Sequence, residues 1–297
     1  MARTTTVAIL GTGLIGASIG LALQKRASVL RIIGWDAKRA AGAQAKRRGA
    51  IDALAPTLRD AVGSADVVVL AAPHDAVLKL MPAVFRHARR GGLIVDVAGV
   101  KRKIVANATK LLKRWPGIAF VGGHPMAGSE RPGAKNADAG LFTARPFAIC
   151  APPQLHRRSA LARAKKFVRA LGARPIELEP AAHDRIVAAA SALPQLMSVA
   201  AASAVERNVG RRATKLAGPA LKSAVRLAGS PFHIWEAGLL GNSHNVLSVL
   251  LELERRLREM AKAIEHGDRR LLARSFEHAA RARRRVLGAR ERNTGRR

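Results

Sequence analysis

The chain has one cysteine and no tyrosine. A lone thiol, Cys150, excludes an intrachain disulfide, and its setting in Phe147-Ala148-Ile149-Cys150 reads as a buried strand, not a reactive loop. Seven Phe and three Trp are the only aromatics, poor material for a base-stacking surface. Acid is scarce: 20 Asp+Glu face 52 Lys+Arg, a formal charge of +32. Such a field attracts anions, from metabolites to nucleic acid. The basic residues are scattered along the chain, which argues against a nucleic-acid-binding protein. The exception is an Arg-rich tail from Arg281, whose end, 286–297, is expected to be disordered. No His/Cys/acid cluster has metal-ligand spacing, and no P-loop or Gly-x-Ser-x-Gly elbow occurs. No uninterrupted apolar run is long enough for a bilayer and nothing reads as a signal peptide, so a cytoplasmic protein without a membrane partner is expected.

What is present is 48% apolar residues in 297, enough for one large or two ordinary cores. Short apolar runs at 7–10, 30–34, 66–71, 93–97, 118–121, 147–150 and 175–179 alternate with helical stretches at 14–25, 37–48, 74–90, 101–113 and 157–171. That alternation predicts a doubly wound parallel sheet. After Pro180 no strand signal remains, and 181–207 and 245–266 have helical spacing. The expected fold is an α/β, Rossmann-type NAD(P)-binding domain at 1–180 and an all-α domain at 181–285. Helical domains of this kind dimerise when their apolar faces exceed what one copy can bury, so a homodimer is expected.

Gly11-Thr12-Gly13-Leu14-Ile15-Gly16 matches G-x-G-x-x-G. It follows a strand, opens a helix, and has an acid, Asp36, 20 residues beyond its last glycine. Gly11 permits the tight turn, Gly13 lets the backbone approach a pyrophosphate, and Gly16 lets helix and strand pack. The helix N-terminus, with Leu14 and Ile15, supplies N–H donors and the positive end of a dipole. Asp36 would accept from ribose hydroxyls, which favours NAD. Lys38 and Arg39 nearby keep NADP possible, because a base can hold a 2′-phosphate. Ala71-Ala72-Pro73 and Val97-Ala98, at the ends of central strands, are placed beside the cofactor. Ligands of open α/β sheets lie beyond the strands' carboxyl ends, where His124 also falls. A dehydrogenase that oxidises an alcohol needs a base, and histidine suits that role near neutral pH.

The segment Gly122-Gly123-His124-Pro125-Met126-Ala127-Gly128-Ser129-Glu130 resembles the signature of the prephenate/arogenate dehydrogenase family, the NAD(P)-dependent enzymes of tyrosine biosynthesis. Asp96-Val97-Ala98-Gly99-Val100-Lys101, His183-Asp184, Ser191-Ala192-Leu193-Pro194-Gln195, Val225-Arg226-Leu227-Ala228 and Ser230-Pro231-x-x-x-Trp235 resemble further family motifs in the same order. The resemblance implies oxidative decarboxylation of prephenate or arogenate. It makes His124 the base for the ring hydroxyl, Arg226 the carboxylate-binding arginine and Glu130 an acid at the site entrance. It puts Gly99, Gln195 and Trp235 near the substrate, and Lys101 either in support of the cofactor loop or against the substrate anion. A guanidinium suits Arg226's role because it stays charged and grips carboxylate with two parallel bonds. Four positions depart from the family pattern. Its serine beside the catalytic histidine is Gly99, the histidines of its Ser-His-Leu-Pro-His stretch are Ala192 and Gln195, and an acid before the arginine is Ser223. The competing readings are a dehydrogenase of the 3-hydroxy-acid type, which would use a lysine such as Lys215 or Lys222, and a basic nucleic-acid-binding protein on a dinucleotide-binding scaffold.

Overall fold

The computed structural model describes residues 5–26, 30–129, 131–154, 156–215 and 217–288. Glu130 and tail residues 289–297 therefore lie outside the described residues. The chain divides into two compact units, Met1–Ser243 and His244–Arg297.

The first unit is built on one eight-stranded sheet. Its strands are β1 (Thr5–Leu10), β2 (Leu30–Trp35), β3 (Ala53–Leu54), β4 (Val67–Leu70), β5 (Leu93–Asp96), β6 (Ala119–Pro125), β7 (Pro146–Cys150) and β8 (Arg174–Glu177). They lie in the order β3-β2-β1-β4-β5-β6-β7-β8. From β3 to β6 every pairing is parallel, and β1 is flanked by β2 and β4, so chain order reverses there. That reversal opens a crevice at the carboxyl ends of β1 and β4. The sheet is not wholly parallel as expected, because β7 runs antiparallel to β6, with His124 opposite Ala148.

Alternating side chains along the strands feed two apolar layers, as a period of two requires. Val7, Ile9, Val69, Val95 and Val121 pack on one face with Ile19 and Leu23 of α1 (Leu14–Arg26) and Phe167 and Val168 of α6 (Arg157–Ala170). Ala8, Leu10, Val68, Leu70, Ile94 and Phe120 pack on the other. There they meet Val62 of α3 (Leu58–Gly63), Met81 and Phe85 of α4 (His74–His87) and Ile104 and Val105 of α5 (Arg102–Arg114). Each large apolar side chain removed from water contributes roughly 1.5–3 kcal/mol. Helix α2 (Arg39–Arg47) packs beside β2 and β3. Cys150 is buried in β7, and burial pushes its thiol up to about 12.

Beyond β8 the described chain is helical. Helix α7 (Pro180–Val187) passes through a π-helical turn, Ala188–Ala192, into α8 (Leu193–Val209). Helices α9 (Pro219–Ala224) and α10 (Phe232–Leu240) complete the first unit, separated by a 3₁₀ turn, Arg226–Gly229. The second unit carries α11 (Ser243–Glu265) and α12 (Arg269–Leu287). Helix α12 enters the expected disordered tail by two residues, Val286 and Leu287. The continuous helix Pro180–Val209 is long and apolar enough to cross a membrane by length and composition only, and 28% of its most apolar window is buried.

Candidate active site

The glycine loop joins β1 to α1 at the crevice. Gly11 has φ +95°, and a Cβ there would stand 2.6 Å from the Ala71 carbonyl oxygen, so no other residue fits between the two strand ends. A Cβ on Gly16 would meet the Gly11 oxygen at 1.9 Å and Ile9 at 3.1 Å, the close helix–strand packing expected of it. Gly13 has nothing within 4 Å of its Cβ position, which leaves its backbone open beside the N-terminus of α1. Leu14 and Ile15 start that helix. Asp36 follows β2, and its carboxylate accepts from Thr12 N at 2.8 Å, Thr12 Oγ1 at 3.0 Å and Lys38 N at 2.9 Å. The acid is thus anchored against the glycine loop. Ala71, Ala72 and Pro73 run from β4 into α4 and stay partly or fully exposed, whereas Val97 and Ala98 are nearly buried after β5. This cradle of open Gly13 backbone, helix N-terminus and anchored acid fits an adenine dinucleotide.

His124 sits within β6, not in a loop beyond a strand. Gly122 and Gly123 look like turn residues in the sequence, yet they serve close approach. A Cβ on Gly123 would stand 2.6 Å from the Asp96 oxygen and 2.8 Å from the Phe147 ring. Pairing with β7 carries the strand through to Pro125. The His124 ring is partly buried, and its Nδ1 lies 2.9 Å from His183 Nε2. His183 Nδ1 lies 2.8 Å from Asp184 Oδ1. Asp184 also accepts from Lys101 N at 2.8 Å and Arg102 N at 2.9 Å, capping α5 from α7. Both α7 residues are 1% exposed. These hydrogen bonds hold the Asp184 carboxyl below its ordinary range against the opposing effect of burial. The Nε2 side of His124 looks toward exposed Gly99, where a Cβ would stand 3.8 Å away. Burial first, then His183 and Lys101, push the His124 imidazole well below its usual range, so it is neutral at physiological pH.

Of the two roles expected for Lys101, facing a substrate anion does not fit its burial. It is 0% exposed, and its ammonium is paired with Asp96, itself fully buried. Asp96 also accepts from Ala98 N at 3.0 Å and Gly123 N at 3.3 Å. Burial raises the Asp96 carboxyl despite the lysine. The pair fixes the corner between β5 and α5, and so acts on the loop around Gly99 and on β6.

The helical half supplies the other expected residues. Gln195, 3% exposed, donates from Nε2 to the Leu227 oxygen at 3.0 Å, and Ser198 Oγ accepts from Ala228 N at 3.0 Å. These bonds hold the 3₁₀ turn that begins at Arg226 against α8, and leave the Arg226 side chain exposed. Among the described residues, the buried polar atoms without a partner include Gln195 Oε1, Trp235 Nε1 on α10, and both ring nitrogens of His74. His74 is 4% exposed, follows Ala71-Ala72-Pro73 directly, and lies below Gly241. Burial, then Lys101, lowers its pKa. His183, Asp184 and His74 were not expected at the site. The first two stand in a family-like motif, but their contact with His124 spans 59 residues and is invisible in sequence.

Residues 19–177 match the family model described as "Prephenate dehydrogenase, nucleotide-binding domain", and residues 179–278 match "Prephenate dehydrogenase, dimerization domain". A prephenate dehydrogenase of Bacillus subtilis is 30% identical over 280 residues, covering 92% of this chain and 74% of that protein. Among solved structures, the arogenate dehydrogenase of Synechocystis superposes with a TM-score of 0.81 at 24% identity, over 95% of this chain and 100% of that one. The prephenate dehydrogenase of A. aeolicus, in complex with hydroxyphenyl propionate and NAD+, gives 0.83 at 22% identity, over 96% of this chain and 98% of that one. At these identities the two structures speak for the fold.

Proposed function

The chain belongs to the prephenate dehydrogenase family, and from that premise we propose that His124 is the base of an NAD-dependent oxidative decarboxylation of prephenate or arogenate. The observation that carries the residue assignment is the His124 ring itself. It is neutral, tied at Nδ1, and turns Nε2 toward the exposed Gly99 loop at the carboxyl end of the sheet. NAD+, when bound, supplies the hydride acceptor. Nε2 takes the proton of the substrate's ring hydroxyl, and loss of the ring carboxylate as carbon dioxide makes the ring aromatic. Gly11, Gly13, Gly16 and the N-terminus of α1 hold the dinucleotide's phosphates, and anchored Asp36 holds its adenosine ribose. Arg226, exposed and without an ion pair among the described residues, receives a substrate carboxylate. Glu130 is assigned to the site entrance on sequence grounds alone.

Gln195 supports a preference between the two substrates. Its amide nitrogen is committed to Leu227, and its oxygen is a buried acceptor without a donor. An unmet buried acceptor costs about 1–3 kcal/mol. Arogenate carries an ammonium donor where prephenate carries a keto oxygen, so arogenate is the better match. The unfilled apolar faces of the helical half support a homodimer. The test is NADH production from each substrate with wild type and His124→Asn. Wild type should turn over arogenate with the higher kcat/KM, and His124→Asn should lose at least about 10²-fold in kcat with NAD+ affinity retained. Turnover by His124→Asn near wild type would remove His124 from the base role.

A further inference from the structure

We propose that His183 is a positioning residue that fixes the tautomer of His124, with Asp184 as its anchor. This inference rests on His124 being the base. Protons along the chain can be assigned outward from Asp184. Its carboxylate is an acceptor only, and it already receives the N–H groups of Lys101 and Arg102. The 2.8 Å contact with His183 Nδ1 is therefore a donation from His183. With His183 uncharged, its other nitrogen, Nε2, is then a bare acceptor. The 2.9 Å contact with His124 Nδ1 must be a donation from His124. That leaves the His124 proton on Nδ1 and a lone pair on Nε2, the nitrogen that looks toward Gly99.

The assignment has a chemical consequence. A free histidine side chain favours the opposite tautomer, with its proton on Nε2, where it would block proton abstraction. The buried dyad on α7 reverses that preference and holds the ring plane, the work a buried carboxylate does for a catalytic histidine elsewhere. When Nε2 takes the substrate proton, the positive charge on His124 is stabilised by donation to His183, backed by the Asp184 carboxylate. The arrangement also explains how Gly99, which has no side chain to offer His124, is compatible with a working base.

Nitrogen–proton correlation NMR of the histidine rings in the full-length wild-type protein tests the tautomer directly, with His124→Asn identifying the His124 signals. Neutral His124 should carry its proton on Nδ1, and so should His183. A proton on His124 Nε2 would overturn the proposal even if His124→Asn is inactive; activity retained by His124→Asn would instead sink the base assignment. Kinetics supplies the second arm. His183→Leu should lose on the order of 10²-fold in kcat with KM and NAD+ affinity within a few-fold. His183→Gln, whose side-chain oxygen can accept from His124 Nδ1, should recover at least tenfold of that loss. Equal kcat values for folded Leu and Gln variants would show that the acceptor does not matter. If His183→Leu does not fold, the wild-type tautomer decides.

Discussion

At the scale of single residues, the site depends on keeping one imidazole uncharged. His124 is flanked by His183 on one side and by the buried Lys101–Asp96 pair behind it. Burial is the largest cause of its lowered pKa, and His183 and Lys101 act in the same direction. The sign matters for activity. A base works only when unprotonated, and a lowered pKa extends that form to more acidic solution. The acid limb of kcat/KM against pH, which reports the free enzyme, should therefore fall below 6.5, the usual value for histidine. A limb at or above that value would mean that His124 is not the titrating base or that its pocket is open to water. The same arithmetic makes Lys101 a structural residue. With Asp96 fully buried beside it, loss of the ammonium would strand a carboxylate away from water.

At the scale of elements, the joint that matters links α7 to the start of α5. Asp184 satisfies the N–H groups of Lys101 and Arg102, which no residue within α5 can reach, and Asn242 Nδ2 donates to the Asp184 backbone oxygen at 2.7 Å. Asp184→Ala leaves one buried backbone donor, one part-buried backbone donor and the His183 ring without an acceptor. At about 1–3 kcal/mol for each unmet donor, the loss should total roughly 3 kcal/mol or more. It should appear in urea unfolding as a lower midpoint with an unchanged slope; a loss under about 1 kcal/mol would show that the joint carries little. Most of the elements on which this joint is built were legible in the sequence. The glycine loop, Asp36 and the apolar strands announce themselves through local chemistry and period. Strand β3, with two residues, and α3, with six, are too short for any period to show. The extension of β6 through His124 was hidden because its two glycines signal a turn locally but serve the crowding of Asp96 and Phe147. Lys101 keeps two roles open in the sequence for a related reason: sequence gives a charge but not the direction in which its side chain is turned.

At the scale of the whole molecule, the question is what covers the helices. Large apolar side chains stand in water on both compact units. Met197 is 45%, Phe232 61% and Leu240 62% exposed in the first, and Leu251 60% and Phe276 72% in the second. One such residue is ordinary, but repetition along helices marks a surface built for a partner. Hydrocarbon does not suit the α11 part of that surface. Helix α11 carries Arg255, Arg256 and Arg258 laced to Glu252, Glu254 and Glu259, and such charges are costly in a bilayer. Another copy of the chain fits better, since the matched dimerization domain spans 179–278 and two-fold pairing lets each apolar patch meet its equivalent. Sedimentation at micromolar concentration should give twice the 31.6-kDa mass of one chain. Leu251→Glu combined with Phe276→Glu should shift the protein toward that single-chain mass, because each places a charge where an apolar contact is expected. A wild-type protein that sediments at 31.6 kDa, or a double variant that stays at twice that mass, would move the interface elsewhere or remove it.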